Sequence, residues 1–342
     1  MRIGYSFWGF LGTGITETPD GGRSHRSVLV DGMRSLGHEV VFLQANRDLD
    51  EAGDDLRGTY AWELGFPPLD ALMLEWRWPI PGRNIGVPCG NPGHTCDLHR
   101  QAALLQHYTD GGVPTLLWDK DLRLPVDDPI RRRRNVQVLE AALWPSQGSM
   151  TLMFPVADKR LTSGAANVSA LAAKYRTLPL VYIGNQYDRD DAFDEFFARA
   201  AWMVPHLVAG NWPRRQRWPH VQYAGRIGFA EVEPLYARSL ATVLLLPRRY
   251  ARVGQMTQRI FESLLAGCLP ILPAHTRGAS RFVPGELHAA DGKELVILVQ
   301  RLAAIMGTTW HEELLAECLQ RLRMFRLSEQ LDRFTQALAA VT

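Results

Sequence analysis

The chain opens with Arg2-Ile3-Gly4-Tyr5-Ser6-Phe7-Trp8, an apolar run that predicts a buried strand near the centre of a sheet. A glycine-rich stretch, residues 9–22, follows it, and residues 23–36 then show the spacing of an amphipathic helix. Gly37 stands at the position of a helix C-cap, and Glu39-Val40-Val41-Phe42-Leu43 reads as the second strand. Strand, glycine loop, helix and strand begin a βαβ unit. The sequence therefore predicts an α/β fold with a parallel sheet and a ligand at the carboxyl ends of its strands.

The same alternation continues along the rest of the chain. In the first half, strands are predicted over residues 70–76 and 114–118, and helices over residues 98–108 and 130–142. In the second half, a new series of short apolar strands is predicted over residues 180–184, 206–209, 221–224, 242–246 and 269–272. The last 50 residues have the pattern of helices. Two strand series of this kind predict two sheets, one in each half of the chain.

We therefore predict two Rossmann-like, doubly wound domains with helices at the C-terminal end. The first covers residues 1–165, the second covers residues 178–325, and a terminal helix covers residues 326–342. Residues 162–177, rich in Ala, Ser and Gly, are the predicted connector. Two domains of this type leave a cleft between them, and ligands are expected there.

Composition limits the classes of protein that the chain can belong to. Its 342 residues are 46% hydrophobic and 22% charged, which is typical of a folded protein large enough for two cores. A net charge of +2 is too small to indicate a polyanion partner by itself. No apolar run approaches the roughly 20 residues of a membrane span, and the N-terminus lacks the pattern of a signal peptide. We expect a cytoplasmic protein with thiols rather than disulfides.

The most informative motif spans residues 254–272. A loop leads into a helix that carries Glu262, and the helix ends at Ala266-Gly267-Cys268 directly before an apolar strand. This order resembles the donor-binding segment of GT-B glycosyltransferases, so the predicted fold class is GT-B. The resemblance implies that Glu262 accepts both ribose hydroxyls of a nucleotide sugar. It also implies that Thr257, Gln258 and Arg259, at the start of the helix, bind the donor near its diphosphate.

Gly254 departs from the pattern of the retaining GT-B enzymes. Many of them carry a second glutamate seven residues before the ribose glutamate, and glycine occupies that position here. The segment therefore lacks the residue that would bind the sugar hydroxyls, and two alternatives stay open. Glu262 could be an exposed helix residue, or the protein could bind a nucleotide sugar without catalysing its transfer.

Two further motifs resemble the same family. Gly21-Gly22 before the first helix and Gly37-His38-Glu39-Val40 after it are similar to the "GG…GHEV" opening, whose glycines line the nucleotide-sugar site. Gly225-Arg226, at the end of a predicted strand, resembles the arginine that binds the diphosphate. A cation at that strand end would stabilise the leaving group, and Arg259 would replace the lysine that usually follows.

A polar cluster, Trp118-Asp119-Lys120-Asp121, lies at the carboxyl end of another predicted strand. It resembles the strand-end acid of phage DNA α-glucosyltransferases. The resemblance places Asp121 near the acceptor hydroxyl, with Asp119 as the second choice. The alternative is a loop in which an aspartate caps a helix or pairs with Lys120.

Arginines beside aromatic residues form two candidate acceptor or DNA-binding clusters, and residues 131–134 form a third run of arginines. Because arginine binds phosphates and tryptophan stacks on bases, both clusters suit nucleic acid. A solvated arginine face is the alternative, since 34 of the 38 basic residues are arginine. The candidate residues are Arg214, Arg215, Arg217, Trp218, Arg248 and Arg249.

Cys89, His94, Cys96 and His99 could form a structural zinc site, but their spacing fits no common zinc ligand set and the segment reads as a loop. We assign no metal. The resemblance to GT-B enzymes implies transfer of a sugar from a nucleotide sugar, most simply a UDP-sugar, with retention and no obligatory cofactor. The expected acceptor is a hydroxymethylated pyrimidine in phage DNA. The alternative acceptors are a natural product and a cell-surface glycan.

Overall fold

The computed structural model describes residues 1–12, 22–80, 84 and 97–342, and these residues form two compact units. The first unit consists of Met1–Gly12, His25–Pro155 and Leu327–Thr342. The second consists of Val156–Arg326 together with residues 22–24. The chain therefore enters the second unit after Pro155, earlier than the predicted boundary at residue 165.

Seven strands within the described part of the first unit form one parallel sheet. They are β1 (Arg2–Ser6), β2 (Glu39–Phe42), β3 (Ala61–Trp62), β4 (Ala71–Glu75), β5 (Thr115–Asp119), β6 (Val136–Glu140) and β7 (Met150–Thr151). Their order in the sheet is β3-β2-β1-β4-β5-β6-β7. As predicted from its apolar sequence, β1 is an interior strand, because β2 pairs with one of its edges and β4 with the other.

Three helices of this part of the chain connect the strands: α1 (Arg23–Ser35), α2 (Arg47–Ala52) and α3 (Asp97–Leu104), which continues into a π-helical turn at Leu105–Thr109. The buried face of α1 carries Arg26, Leu29, Val30 and Met33. Because these residues recur every three or four positions, the helix presents one continuous face to the sheet. One of them is an arginine.

The helix predicted over residues 130–142 is wrong. Only a short 3-10 turn, Pro129–Arg132, forms there, and the chain then enters β6. β5 pairs with one edge of β6 and β7 with the other, and Val136 and Val138 of β6 are buried. The β-branched alternation of Val136 and Val138, rather than the preceding arginine run, decides the conformation.

Six strands form the parallel sheet of the second unit, as far as the structure describes it. They are β8 (Leu178–Ile183), β9 (His206–Ala209), β10 (Tyr223–Gly225), β11 (Ser239–Val243), β12 (Leu269–Pro273) and β13 (His288–Ala289). Their order is β10-β9-β8-β11-β12-β13. All five strands predicted for this half are present within a few residues of their predicted bounds.

The helices of the second unit pack on both this sheet and one another. They are α4 (Asp158–Ala166), α5 (Val168–Ala172), α6 (Asp190–Ala192), α7 (Ala198–Ala200), α8 (Val232–Ala237), α9 (Arg248–Val253), α10 (Arg259–Leu265), α11 (Ala279–Phe282), α12 (Gly292–Ile305) and α13 (Thr309–Arg321). A π-helical turn, Phe193–Phe197, joins α6 to α7. The predicted connector over residues 162–177 is wrong, because α4 and α5 occupy it and belong to this unit.

Arg176 joins the carboxyl ends of three of these helices. Its guanidinium is buried and donates to the carbonyl oxygens of Leu171 in α5 (2.8 Å), Ala237 in α8 (2.6 Å) and Ala266 after α10 (3.2 Å). Carbonyl groups at helix ends carry partial negative charge, so they stabilise this cation. Burial lowers the pKa of Arg176. The helix that carries Glu262 is thereby fixed to two of its neighbours.

The terminal helix, α14 (Leu327–Ala339), packs in the first unit rather than standing apart. A Cβ atom added to Gly32 in α1 would lie 2.8 Å from Cδ1 of Leu327, which shows how closely the two helices approach. Oε1 of the buried Gln330 also accepts a hydrogen bond from the backbone N–H of Met153 (2.7 Å). The first unit is therefore built from both ends of the described chain.

Candidate active site

The segment around Glu262 folds as a helix, a sharp turn and a second helix. Helix α9 ends at Gly254, whose φ of +58° lies in the left-handed region that favours glycine. A glutamate at this position would be strained, which gives a backbone reason for the departure from the two-glutamate pattern. Helix α10 begins at Arg259, with Gln258 as its N-cap. Thr257 therefore precedes the helix, whereas the sequence placed it on the first turn.

Arg259 and Glu262 form an ion pair along one side of α10. Nη1 of Arg259 lies 2.6 Å from Oε2 of Glu262, and the two side chains are 20% and 10% exposed. Burial opposes the charge of Arg259, but the Glu262 carboxylate beside it raises the pKa of the guanidinium above its ordinary value. The arginine and glutamate that the sequence selected are thus in direct contact.

The other carboxylate oxygen of Glu262 has no such partner. Oε1 is buried and accepts no hydrogen bond from any residue that the structure describes. The hydroxyl of Tyr236, in the neighbouring helix α8, is also buried and has no hydrogen-bond partner among the described residues. Burial raises the pKa of Tyr236 well above its ordinary value; the Glu262 carboxylate adds to this effect, and the charge of Arg259 opposes it. An unsatisfied buried polar atom costs about 1–3 kcal/mol, so a ligand that supplied a hydroxyl to Oε1 would remove that cost.

Glycines lie where the strands of the second sheet end. Gly210 follows β9 with a φ of +135°, and a Cβ atom there would lie 2.2 Å from the carbonyl oxygen of Gly184 after β8. Its N–H donates to the carbonyl of Gly225 in β10 (2.8 Å). Only glycine permits this approach of three chain segments. Arg226 comes directly after Gly225 and is exposed, so its side chain starts from the carboxyl edge of the sheet.

The candidate DNA-binding cluster around Trp218 differs from the prediction. Trp218 is only 3% exposed, its Nε1–H donates to Oδ1 of Asp194 (2.5 Å), and its ring contacts Phe193 with centroids 4.7 Å apart. A ring buried in this way is not available to stack on a base, which corrects its assignment as a contact. Its aromatic surface instead stabilises the second unit.

The arginines of both candidate clusters are exposed or partly exposed, and most of them pair with aspartates. Arg214 lies 2.6 Å from Asp190, Arg217 pairs with Asp190 and Asp194, Arg248 lies 3.2 Å from Asp191, and Arg249 pairs with Asp188. Arg215 is exposed. These four aspartates, which we term the aspartate row, come from residues 188–194. The positive potential of the two clusters is therefore smaller than the sequence alone indicates.

Asp119 closes the loop after β5 in the first unit. Its side chain is buried, and its oxygens accept hydrogen bonds from the backbone N–H groups of Arg123 (3.0 Å) and Leu124 (2.7 Å). Burial raises the pKa of Asp119 to about 6, assisted by the charges of Asp121 and Glu140 and opposed by the two backbone hydrogen bonds. Asp119 therefore shapes the loop from inside.

Asp121 lies on this loop and is partly exposed. The next residue, Leu122, has a φ of +52°, in the left-handed region that non-glycine residues seldom adopt. Backbone strain of this kind costs on the order of 1–3 kcal/mol and persists where the surroundings determine the conformation. The loop thus holds Leu122, directly after Asp121, in a conformation that a leucine disfavours.

A buried ionic network at the same edge was missed by sequence reasoning. Glu75 ends β4, and its carboxylate binds Nε and Nη2 of Arg26 (2.9 Å each), the hydroxyl of Tyr5 (2.6 Å) and Nζ of Lys120 (2.5 Å). Burial opposes ionisation of Glu75, but Arg26 and Lys120 hold its pKa well below the ordinary value. The sequence did contain a signal for this network. Arg26 falls on the apolar face of the predicted first helix, and Glu75 falls within an apolar predicted strand.

The remaining candidates fall partly outside the described residues. The candidates outside the described residues are Gly21, Cys89, His94 and Cys96. Of the others, Gly22 is buried and His99 is exposed on α3. Among the residues that are described, no three His, Cys, Asp or Glu side chains are grouped to hold a metal ion. No helix in those ranges is long and apolar enough to cross a bilayer.

Solved structures share the architecture of this chain. The phage T4 DNA-modifying β-glucosyltransferase, solved in the presence and absence of UDP-glucose, aligns with a TM-score of 0.65 and 13% identity over 99% of this chain and 100% of that one. The chain has the GT-B fold. This alignment agrees with the resemblance to GT-B enzymes that the sequence showed, in which the phage enzyme named was a DNA α-glucosyltransferase.

Two other solved structures also align over 99% of this chain. A glycosyltransferase involved in avilamycin A biosynthesis has a TM-score of 0.57 and 12% identity, over 99% of this chain and 97% of that one. Anabaena HepE, in complex with UDP and glucose, has a TM-score of 0.57 and 10% identity, over 99% of each chain. No protein-family model and no curated protein matches the sequence. The predicted fold class is confirmed by these alignments.

Proposed function

We propose that this protein is a glycosyltransferase that moves a sugar from a UDP-sugar to an acceptor hydroxyl. The observation that carries the proposal is the Arg259–Glu262 pair with its open carboxylate oxygen. A carboxylate that keeps one oxygen for ligand hydroxyls, beside a cation that attracts phosphate, fits the ribose and diphosphate of a nucleotide. Solved proteins of this fold bind UDP-glucose or UDP.

The candidate residues of the donor segment, together with Arg226 and Asp121, take roles in this reaction. Glu262 accepts hydrogen bonds from the ribose hydroxyls. Arg226 and Arg259, with Thr257 and Gln258 close to the latter, stabilise the negative charge that develops on the departing diphosphate. Asp121 lies near the acceptor hydroxyl and orients it for attack. The chain's own residues supply these functions without an obligatory cofactor.

An assay with UDP-glucose labelled in the sugar tests the enzymatic proposal. Transfer of label to an acceptor, or slow hydrolysis in its absence, supports an enzyme. Saturable UDP-glucose binding without release of UDP over many hours would instead support a non-catalytic nucleotide-sugar-binding protein. Gly254 favours that second candidate, because the glutamate that many retaining enzymes carry is absent there.

The stereochemical part of the proposal is retention of the anomeric configuration. It is supported by the resemblance of the donor segment to the retaining enzymes, not by a distance within the site. Proton NMR of the first product formed from UDP-glucose tests it through the coupling constant of the anomeric proton. An inverted product would overturn retention and would require a base for the acceptor proton, a role that the Asp121 carboxylate could fill.

For the acceptor, we propose a hydroxymethylated pyrimidine in phage DNA, which would place the protein in the host cytoplasm. The alignment with a DNA-modifying glucosyltransferase and the exposed Arg214, Arg215 and Arg217 support this choice. A base inside a duplex would have to be flipped out to present its hydroxyl, so the protein would need to hold the flanking phosphates.

Duplex binding across a range of salt concentrations tests the DNA acceptor. Affinity should fall steeply with salt, and changing Arg214, Arg215 and Arg217 together to alanine should flatten the slope by up to about three units. Because Arg214 and Arg217 must leave the aspartate row to reach a phosphate, we expect a change below that maximum. Failure to bind plain or hydroxymethylated duplex at low salt, in protein that still binds UDP, would overturn this acceptor.

A natural product or cell-surface glycan is the alternative acceptor. The pairing of the arginine clusters with the aspartate row favours it, as does the modest net charge of +2. An avilamycin-pathway glycosyltransferase with the same fold gives it further support. Transfer to a small hydroxylated acceptor, with no transfer to hydroxymethylated DNA, would establish it.

A further inference from the structure

Lys120 lies between Asp119 and Asp121, directly after the end of β5. Its Nζ lies 2.5 Å from Oε2 of Glu75, at the end of the adjacent strand β4. Glu75 and Trp118 are directly opposite each other in the register of β4 and β5. The ion pair therefore joins the ends of two neighbouring strands across one step of the sheet.

Glu75 is a rigid anchor for this lysine. Its side chain is 5% exposed, and Arg26 and Tyr5 bind the same carboxylate. Nη1 of Arg26 in turn donates to the carbonyl oxygen of Phe10 (2.7 Å), and its guanidinium lies 4.3 Å from the centre of the Phe7 ring. A carboxylate fixed by this many buried partners has little freedom to follow a moving lysine, so it holds the lysine in place.

The loop is also fixed on its inner side. Asp119 binds the backbone N–H groups of Arg123 and Leu124, which brings the two ends of the loop together. Asp121 lies between these attachments and directly before the strained Leu122. Because the chain is attached on both sides of Asp121, the positions open to its partly exposed carboxylate are restricted.

We propose that Lys120 is a positioning residue that, anchored on Glu75, sets the place of the Asp121 carboxylate. This inference rests on the proposed function, in which Asp121 orients the acceptor. Lys120 would then affect the rate of transfer and the order of the loop, and would leave donor binding unchanged. A misplacement of about 1 Å can lower the rate on the order of 10²-fold. The gain in rate from a fixed loop can therefore offset the cost of burying an ion pair.

The decisive variant is Lys120→Met, which keeps most of the side chain's volume and removes its charge. Glu75 remains paired with Arg26, so the buried charges stay balanced and the variant should fold. Lys120→Arg retains a cation that can reach Glu75 and should restore part of the loss. Lys159→Met, at an exposed position in α4, removes the same charge elsewhere and serves as the control.

Two measurements distinguish this inference from the function on which it rests. In transfer assays with UDP-glucose, we expect Lys120→Met to lower kcat by about 10–100-fold while the KM for donor and the Kd for UDP stay within about twofold. By hydrogen exchange with mass spectrometry, peptides covering residues 119–124 should exchange at least about tenfold faster in that variant. Lys159→Met should match the wild type in both.

An unchanged kcat, or a loss of UDP affinity that matches the loss of rate, would overturn the positioning role. The second result would mean that Lys120 contacts the donor. If the wild-type protein binds UDP-glucose and transfers nothing, the proposed function fails instead. In that case, the hydrogen exchange of residues 119–124 in Lys120→Met still tests whether Lys120 orders the loop. Exchange equal to the wild type would overturn this role whether or not the protein is an enzyme.

Discussion

Nη1 of Arg259 lies 2.6 Å from Oε2 of Glu262, so the guanidinium binds one oxygen of a buried carboxylate. This contact also fixes the position of the second oxygen, Oε1. The two residues are a single turn apart on α10, which makes their geometry a property of the helix rather than of a flexible loop. A ligand that engages both residues would meet a preformed acceptor and a preformed cation, with little ordering of side chains on binding.

Glu262→Gln should weaken UDP binding by about 1.5–3 kcal/mol, because an amide retains one acceptor oxygen and loses the charge that strengthens both ribose hydrogen bonds. Isothermal titration calorimetry with UDP measures the change. Glu313→Gln, at an exposed position on α13, is the matched control and should bind like the wild type. Equal affinity in the two variants would remove Glu262 from the site.

Arg226→Ala and Arg259→Ala should each lower kcat by roughly 10²-fold, beyond any loss of donor affinity, since both cations are proposed to stabilise charge on the leaving diphosphate. Steady-state kinetics with UDP-glucose give kcat and KM separately. Arg238→Ala, which removes an exposed arginine of the same unit, should have no effect. A kcat that matches this control would mean that the tested arginine does not act on the leaving group.

Asp121→Asn should suppress transfer by about 10²-fold or more and leave UDP binding as it is, because the proposed role of Asp121 concerns the acceptor. Parallel transfer assays and UDP titrations check both halves. Asp127→Asn, a few residues away at an exposed position, is the control. Loss of UDP affinity in Asp121→Asn would assign the residue to the donor instead.

Asp119 should make the protein less stable as the pH rises from about 4 to 7. Its pKa is raised from 3.8 to about 6 in the folded state, so the folded protein binds this proton more tightly than the unfolded chain does. The ionised form therefore costs up to about 3 kcal/mol above the folded-state pKa. Urea unfolding at pH 4 and pH 7 should show the wild type losing stability relative to Asp119→Asn over this interval. A constant difference between the two proteins would contradict the raised pKa.

Arg176→Met should lower the free energy of unfolding by about 3–5 kcal/mol, since three buried carbonyl groups at helix ends lose a charged donor together. Urea titration followed by circular dichroism measures the midpoint. Arg238→Met, at an exposed position between α8 and β11, should change it by less than about 0.5 kcal/mol. A small effect of Arg176→Met would show that water replaces the guanidinium.

Most of the longer strands, and the order of helix, turn and strand around Glu262, could be predicted because local signals suffice for them. Apolar runs such as the one at β1 mark buried parallel strands, and the loop, helix and strand around Glu262 follow one another without a long-range contact. The helix predicted over residues 130–142 failed because four consecutive arginines hide the two valines of β6, whose conformation depends on the strands on either side.

The pairing of charged residues could not be predicted, because it depends on which strand ends become neighbours. Glu75 and Lys120 are far apart in sequence, and only the order of β4 and β5 in the sheet brings them together. The burial of Trp218 likewise depends on the π-helical turn that places Phe193 and Asp194 against it. Composition counts charges and rings, but it does not say which of them face water.

The packing of α14 in the first unit has a consequence for how the protein folds on the ribosome. Gly32 and Met153 contact residues of a helix that is translated only after the whole second unit. Until that helix emerges, the apolar face of α1 beside Gly32 stays uncovered. The first unit, although its synthesis begins first, is therefore completed only after the second unit has been synthesised. Loss of α14 from the end of the chain would therefore damage the opposite end, where β1 and the Glu75 network lie.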